Sequence, residues 1–229
     1  MIVRAAALLI GLGCYGLSMA MMVRAELGLD PWDVFHQGLS RHTPMTIGVA
    51  SAVVGVLVLL AWIPLRNKPG VGTVANVVVI AATVDAALVV LPAPHTVPAR
   101  VALMVAAVLL NALATVLYVG AGLGPGPRDG LMTGLVARSG LSVRLVRTTI
   151  EATVLTGGWL LGGSVGPGTV LYAFGIGPLV QLLLRFTPGA VLARSGWAPI
   201  LAAPARPAAA ECGTMVRCPT LPTRSTPTC

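Results

Sequence analysis

Six apolar stretches alternate with short polar separators along this chain, at approximately 4–23, 45–64, 72–91, 100–119, 143–162 and 168–187. A helix rises about 1.5 Å per residue, so roughly 20 apolar residues match the thickness of a bilayer's hydrocarbon core. Each stretch is therefore predicted to be a membrane-crossing helix. The fifth is the least regular, because Arg144, Arg147 and Glu151 interrupt its start. Pro, Gly and most of the charges lie in the separators, as in Pro64-Leu65-Arg66-Asn67-Lys68-Pro69-Gly70.

Two separators, near 25–44 and 121–142, are long enough to hold an element of their own. In the first, Asp30 precedes Pro31. A capping acid followed by proline at the first helical position is a helix start. In the second, Gly126 and Pro127 occupy the same places. The two helices predicted near 31–41 and 127–137 are too short to cross, so each is expected to be re-entrant or interfacial.

The hydropathy pattern repeats itself. Leu27-Gly28-Leu29-Asp30-Pro31-Trp32-Asp33 aligns without a gap with Leu123-Gly124-Pro125-Gly126-Pro127-Arg128-Asp129, 96 residues later. The same shift pairs Arg4 with Arg100, Gly38-Leu39 with Gly134-Leu135, and Pro92 with Pro188. It also pairs Gly70, Gly72, Thr73 and Val74 with Gly166, Gly168, Thr169 and Val170. Matches at one shift over the whole chain indicate duplication. The first stretch aligns with the fourth, so it reads as a retained helix rather than a cleaved leader. The expected fold is all-α: about six transmembrane helices as two inverted three-helix repeats, residues 1–92 and 97–188. An odd number of crossings reverses the second copy. Residues 203–229 lose all periodicity and read as a disordered tail.

Composition strengthens the membrane reading. Of 229 residues, 56% are hydrophobic and 10% charged, with a mean hydropathy of +0.89. Soluble domains carry about 25% charged residues, so this chain cannot build a water-soluble surface. The net charge of +8 lies between apolar runs and not on one polar face, which points away from nucleic acid. With six spans, twelve of the fifteen Lys and Arg residues fall on the side of the N-terminus, Arg128, Arg138, Arg144 and Arg147 among them. The positive-inside rule then places both termini in the cytoplasm.

Gly28-Leu29-Asp30-Pro31-Trp32-Asp33, Gly38-Leu39-Ser40 and Gly72-Thr73-Val74-Ala75-Asn76 together resemble the YczE/YitT-type bacterial membrane proteins, over roughly residues 1–190. The resemblance implies a multi-pass bacterial membrane protein. It implies no defined substrate or reaction.

The candidate chemistry is sparse. Asp33 and Asp129 occupy matching third positions of the two short helices and are expected to line a site for a cation or small polar solute. Acids there also suit a helix N-terminus without any ligand. Asp85 lies deep in the third stretch and Gln181 is its counterpart; both fit a pathway lining or an interhelical hydrogen bond. Arg147 and Glu151, four apart on one helix face, fit an ion pair or a gate. Asn111 and Asn76 suit interhelical hydrogen bonds, and His36, His42 and His95 read as interfacial. Gly72-Thr73 and Gly168-Thr169 suit close helix approach.

The four cysteines, Cys14, Cys212, Cys218 and Cys229, have no metal-ligand spacing, and no catalytic or cofactor motif is present. The chain therefore reads as a non-enzyme without cofactor or metal. Its expected partners are the lipid bilayer, a small solute or cation, and a second copy of itself. A transporter-like permease is the leading expectation, and a non-transporting scaffold or regulator of a partner complex the alternative. Reporter tags inserted near residues 68 and 164 should face opposite compartments. The same compartment for both would remove the inversion.

Overall fold

In the computed structural model, which describes residues 2–187, the chain folds into helices alone, and no strand occurs among the described residues. The helices are α1 (Ile2–Ala25), α2 (Pro31–His42), α3 (Ile47–Leu65), α4 (Val71–Val90), α5 (Val97–Gly120), α6 (Pro127–Ser139), α7 (Val143–Leu160) and α8 (Pro167–Phe186). Their boundaries follow local chemistry. Asp30 caps α2 by accepting from the Asp33 N–H, and Pro31 fills the first position. Thr46 and its counterpart Ser142 cap α3 and α7 by accepting from Val49 N–H and Leu145 N–H.

Five helices, α1, α3, α4, α5 and α8, are long and apolar enough to cross a membrane. α7, with 18 residues, carries Arg144, Arg147 and Glu151 and does not reach that standard by composition. The expected tail at 203–229 lies outside the described residues.

The core is built on α1 and α5, which run antiparallel. Gly11 lies against Tyr118, and Ser18 accepts a hydrogen bond from Asn111 Nδ2 at 2.8 Å. α4 packs on α1 and α8 on α5. Leu8, Leu12, Met19, Ile80, Val84 and Tyr118 form one apolar cluster. Met22, Leu29, Val34, Met104 and Val108 form a second. The outer faces of α3, α4 and α8 stay apolar and exposed, as Leu57, Val78 and Phe174 show, which suits contact with lipid.

Contacts recur with the same 96-residue shift. The Gly72 N–H donates to Leu123 O at 2.9 Å, and the Gly168 N–H donates to Leu27 O at 2.7 Å. Each half thus ties the loop before its short helix to the start of a long helix in the other half. Gly28 and Gly124 sit in those loops at φ 108° and 129°, where an L side chain is strained. A Cβ at Gly28 would also lie 2.6 Å from Gly166 N. Gly38 faces Leu161 and Gly134 faces Leu65, again as counterparts. This bears on Gly72-Thr73 and Gly168-Thr169, whose small size allows the exchange.

Packing at the short helices is complementary. Trp62, 1% exposed, lies flat over Gly130, and its Nε1–H donates to Pro127 O at 3.1 Å. The counterparts are reversed in size: Gly158 accommodates the Val34–Phe35 backbone, whose atoms would lie about 2.6 Å from an added Cβ. Adding bulk at Gly130 has no room to relax into, and overpacking costs about 1–3 kcal/mol. Gly130→Val should therefore lower the melting temperature in detergent. Gly13→Val, where an added Cβ meets nothing within 4 Å, should leave it nearly unchanged.

Candidate functional site

Both short helices begin at the same place and run away from each other. α2 ends with Arg41 bonded to Gly162 O, just beyond α7. α6 ends with Arg138 bonded to Pro64 O, near the end of α3. Their N-termini meet through Arg128. Its Nη1 lies 3.4 Å from Asp30 Oδ2 and its Nη2 lies 3.6 Å from Asp33 Oδ1. The Arg128 guanidinium also stacks on the Trp32 ring, 5.0 Å from the centroid. Trp32 and Arg128 are counterparts in the duplication. Residues 96 apart in the chain thus touch where the two short helices begin.

Asp30 and Asp33 are buried at 1% and 0% exposure. Asp33 Oδ1 faces His36 Nδ1 at 3.3 Å, and Asp33 Oδ2 has no hydrogen-bond partner. A buried carboxylate normally has its lone pairs satisfied, because burying a bare charge is costly. Two carboxylates face one guanidinium. The partial positive charges of two helix N-termini offset part of the remainder.

Asp129 is placed differently from its counterpart. It is exposed, with its Oδ2 accepting from Tyr118 Oη at 3.4 Å. Deeper in, Tyr172 Oη donates to Asn111 Oδ1 at 3.2 Å. Asn111, fully buried, thus joins α5 to α1 and α8, the interhelical role expected of it.

The structure places Asp33 against Arg128 and Asp129 against Tyr118, and it keeps Asp85 and Gln181 apart from them. Asp85 accepts from Thr46 Oγ1 at 2.6 Å and from the Gly48 N–H at 2.9 Å, which ties α4 to the start of α3. Gln181 is exposed on α8. Arg147 Nε and Glu151 Oε1 form an ion pair of 3.0 Å on α7. Two expectations require correction. His36 is not interfacial: it is 2% exposed against Asp33, because α2 buries that face. Arg128 is not a free topology signal: its charge is held by Asp30 and Asp33. The sequence signal for Arg128 is its alignment with Trp32, which puts both at the symmetry-related start of a short helix.

Together, the apolar helices and the charged centre define a multi-pass α-helical membrane protein. A model for a family of unknown function, DUF6198, matches residues 2–185. An "Uncharacterized protein" of Haemophilus influenzae is 40% identical over 178 residues, covering 78% of this chain and 82% of that one. The "Uncharacterized membrane protein YczE" of Bacillus subtilis is 36% identical over 174 residues, covering 76% and 79%. The chain belongs to the DUF6198 family and is a relative of this YczE-type membrane protein. No solved structure matches it.

Removing one partner of a buried ion pair strands the other, at about 3–5 kcal/mol. Arg128→Met should therefore unfold well below the natural protein in a thermal scan. Adding Asp30→Asn to it should recover part of the loss. An unchanged transition in the single variant would mean that the cluster is not a structural tie.

Proposed function

We propose that this protein is a transporter-like permease for a small solute or ion, with the Arg128-centred cluster as its binding site. The observation that carries this reading is Asp33 Oδ2, a carboxylate oxygen buried at the meeting point of two short helices with no hydrogen-bond partner among the described residues. Such an oxygen is satisfied by a proton, a cation or a cationic group on a solute. The local surplus of carboxylates favours a positively charged occupant.

The proposal includes a membrane arrangement. α7 is counted as the sixth span, because it is the counterpart of α3. Pairing Arg147 with Glu151 lowers the cost of both charges, and Arg144 near the helix end can snorkel to water. α2 and α6 are then re-entrant, dipping to mid-depth from opposite sides. Three spans per half make the repeats at 1–92 and 97–188 inverted. Their swapped loop contacts and antiparallel α1 and α5 support this. Broken or short helices that aim their N-termini at a midplane site recur in transporters built this way. The cluster also withdraws Arg128 from the orientation count, yet the excess of basic residues on the N-terminal side persists. We place both termini in the cytoplasm of a bacterial inner membrane.

A second reading, a non-transporting scaffold, is favoured by the outer face of α7. Thr148, Thr149, Ala152, Thr153, Thr156 and Gly157 form a shallow groove of small residues there, of the kind helices use to associate in lipid. Flux separates the two. In proteoliposomes, entrapped sodium and pH dyes should report ion movement by the natural protein. Asp33→Asn combined with Asp129→Asn should abolish it at normal membrane abundance. Full flux in the double variant would remove the site, and no flux in either protein would favour the scaffold.

A further inference from the structure

The two halves share the capping of α3 and α7 and the swapped loops, yet they differ at the junction of their last two long helices. In the first half α3 packs along α4. Gly48 is the contact point: a Cβ there would lie 2.6 Å from Asp85 Cγ, and the Asp85 carboxylate accepts from the Gly48 N–H. One helical repeat further on, Gly55 faces Val77, where an added Cβ would be 3.1 Å from Cγ2. This seam is shut by residues without side-chain bulk on α3.

In the second half the counterpart seam is open. α7 does not pack along α8. Gly48 and Gly55 are replaced by Arg144 and Glu151, and the Asp85 counterpart Gln181 is exposed. Gly177, the counterpart of Ala81, would meet no described residue within 4 Å if it carried a Cβ. The same difference separates the two matched acids. Asp33 is fully buried, whereas Asp129 is exposed.

We infer that the polar centre is entered between α7 and α8, and that the start of α7 is a gate that closes on α8 as α3 closes on α4. Taken as a route for a solute, this rests on the permease reading; taken as an opening, it stands on the geometry alone. The crevice lies toward the start of α7 and the end of α8, the end of the bundle at which α5 finishes and α1 begins. The shut seam lies at the opposite end, toward the start of α3 and the end of α4. One side is thus open while the other is closed. Exchange of the two conformations between halves would present the centre to each side in turn. Charged side chains on α7 in place of glycine keep the crevice hydrated and hinder tight closure, which biases the resting state. The Arg147–Glu151 pair would have to turn aside or re-pair for α7 to seat on α8.

The test uses the full chain with Cys14, Cys212, Cys218 and Cys229 replaced by Ser, in nanodiscs with both faces accessible. Single cysteines at matched positions, Ala173→Cys on α8 and Val77→Cys on α4, are titrated with a water-soluble maleimide. Both substitutions are small and leave the charged centre intact. A seam open for no more than about 10% of the time reacts about tenfold more slowly than one always open. Cys at position 173 should therefore label about tenfold faster than Cys at position 77. Equal rates, or the reverse order, would overturn the inference.

A second arm joins Arg144→Cys to Gln181→Cys with a short bifunctional thiol reagent in proteoliposomes. The joined protein should lose sodium or proton flux, and cleaving the link should restore it. Flux that survives the link would overturn the gate. Asymmetric labelling without flux in any variant would keep the opening and remove the permease, so the two failures are distinguishable.

Discussion

Arg128 is the constraint on which the centre of this fold depends. Two short helices meet there N-terminus to N-terminus, and the partial positive charges of their first turns would repel if nothing lay between them. Asp30 and Asp33 supply negative charge at that point. They then need a cation of their own, and Arg128 of the other helix provides it while stacking on Trp32. Each part is unfavourable alone: a buried acid, a half-buried guanidinium, and two opposed helix ends. Together they form a tie between the halves with one oxygen left over. That oxygen is why the cluster reads as a site and not only as a joint.

Around this point the two halves hold each other by exchange. Leu27 O and Leu123 O each receive an N–H from the far half. Lipid supplies no hydrophobic drive between helices, so close backbone approach at glycines carries the packing. The glycines at 28, 38, 72, 130, 134, 158 and 168 are where that approach occurs. The duplicated plan is broken at the α7–α8 seam, where small residues give way to charged ones. Two halves alike in sequence pattern but unlike at this seam would have a direction, and we take that seam as the functional difference between them.

Much of this was legible in the sequence because its causes are local. Apolar runs of spanning length, the Asp30-Pro31 start and the 96-residue shift need no partner to be recognised. Asp33 and Asp129 were marked by their matching places. Asp85 was marked equally, but its partners are the start of α3, a contact 37 residues away that no spacing rule gives. His36 and Arg128 were read by type, as an interfacial imidazole and an orientation signal. Their burial depends on which face of α2 and which end of α6 point inward.

The amino-acid order by itself determined the solvent of this protein and the number and position of its helices, and it carries the 96-residue shift. Hydropathy, capping and repetition are properties of the chain read in one dimension, and a helix satisfies its own backbone wherever it lies. Tertiary structure alone decided which charges meet, which acid is left with a bare oxygen, and which of two equivalent seams is closed. Those outcomes turn on distances of a few ångströms between segments about 100 residues apart, where a single side chain such as Trp62 or Arg144 sets how closely two helices approach.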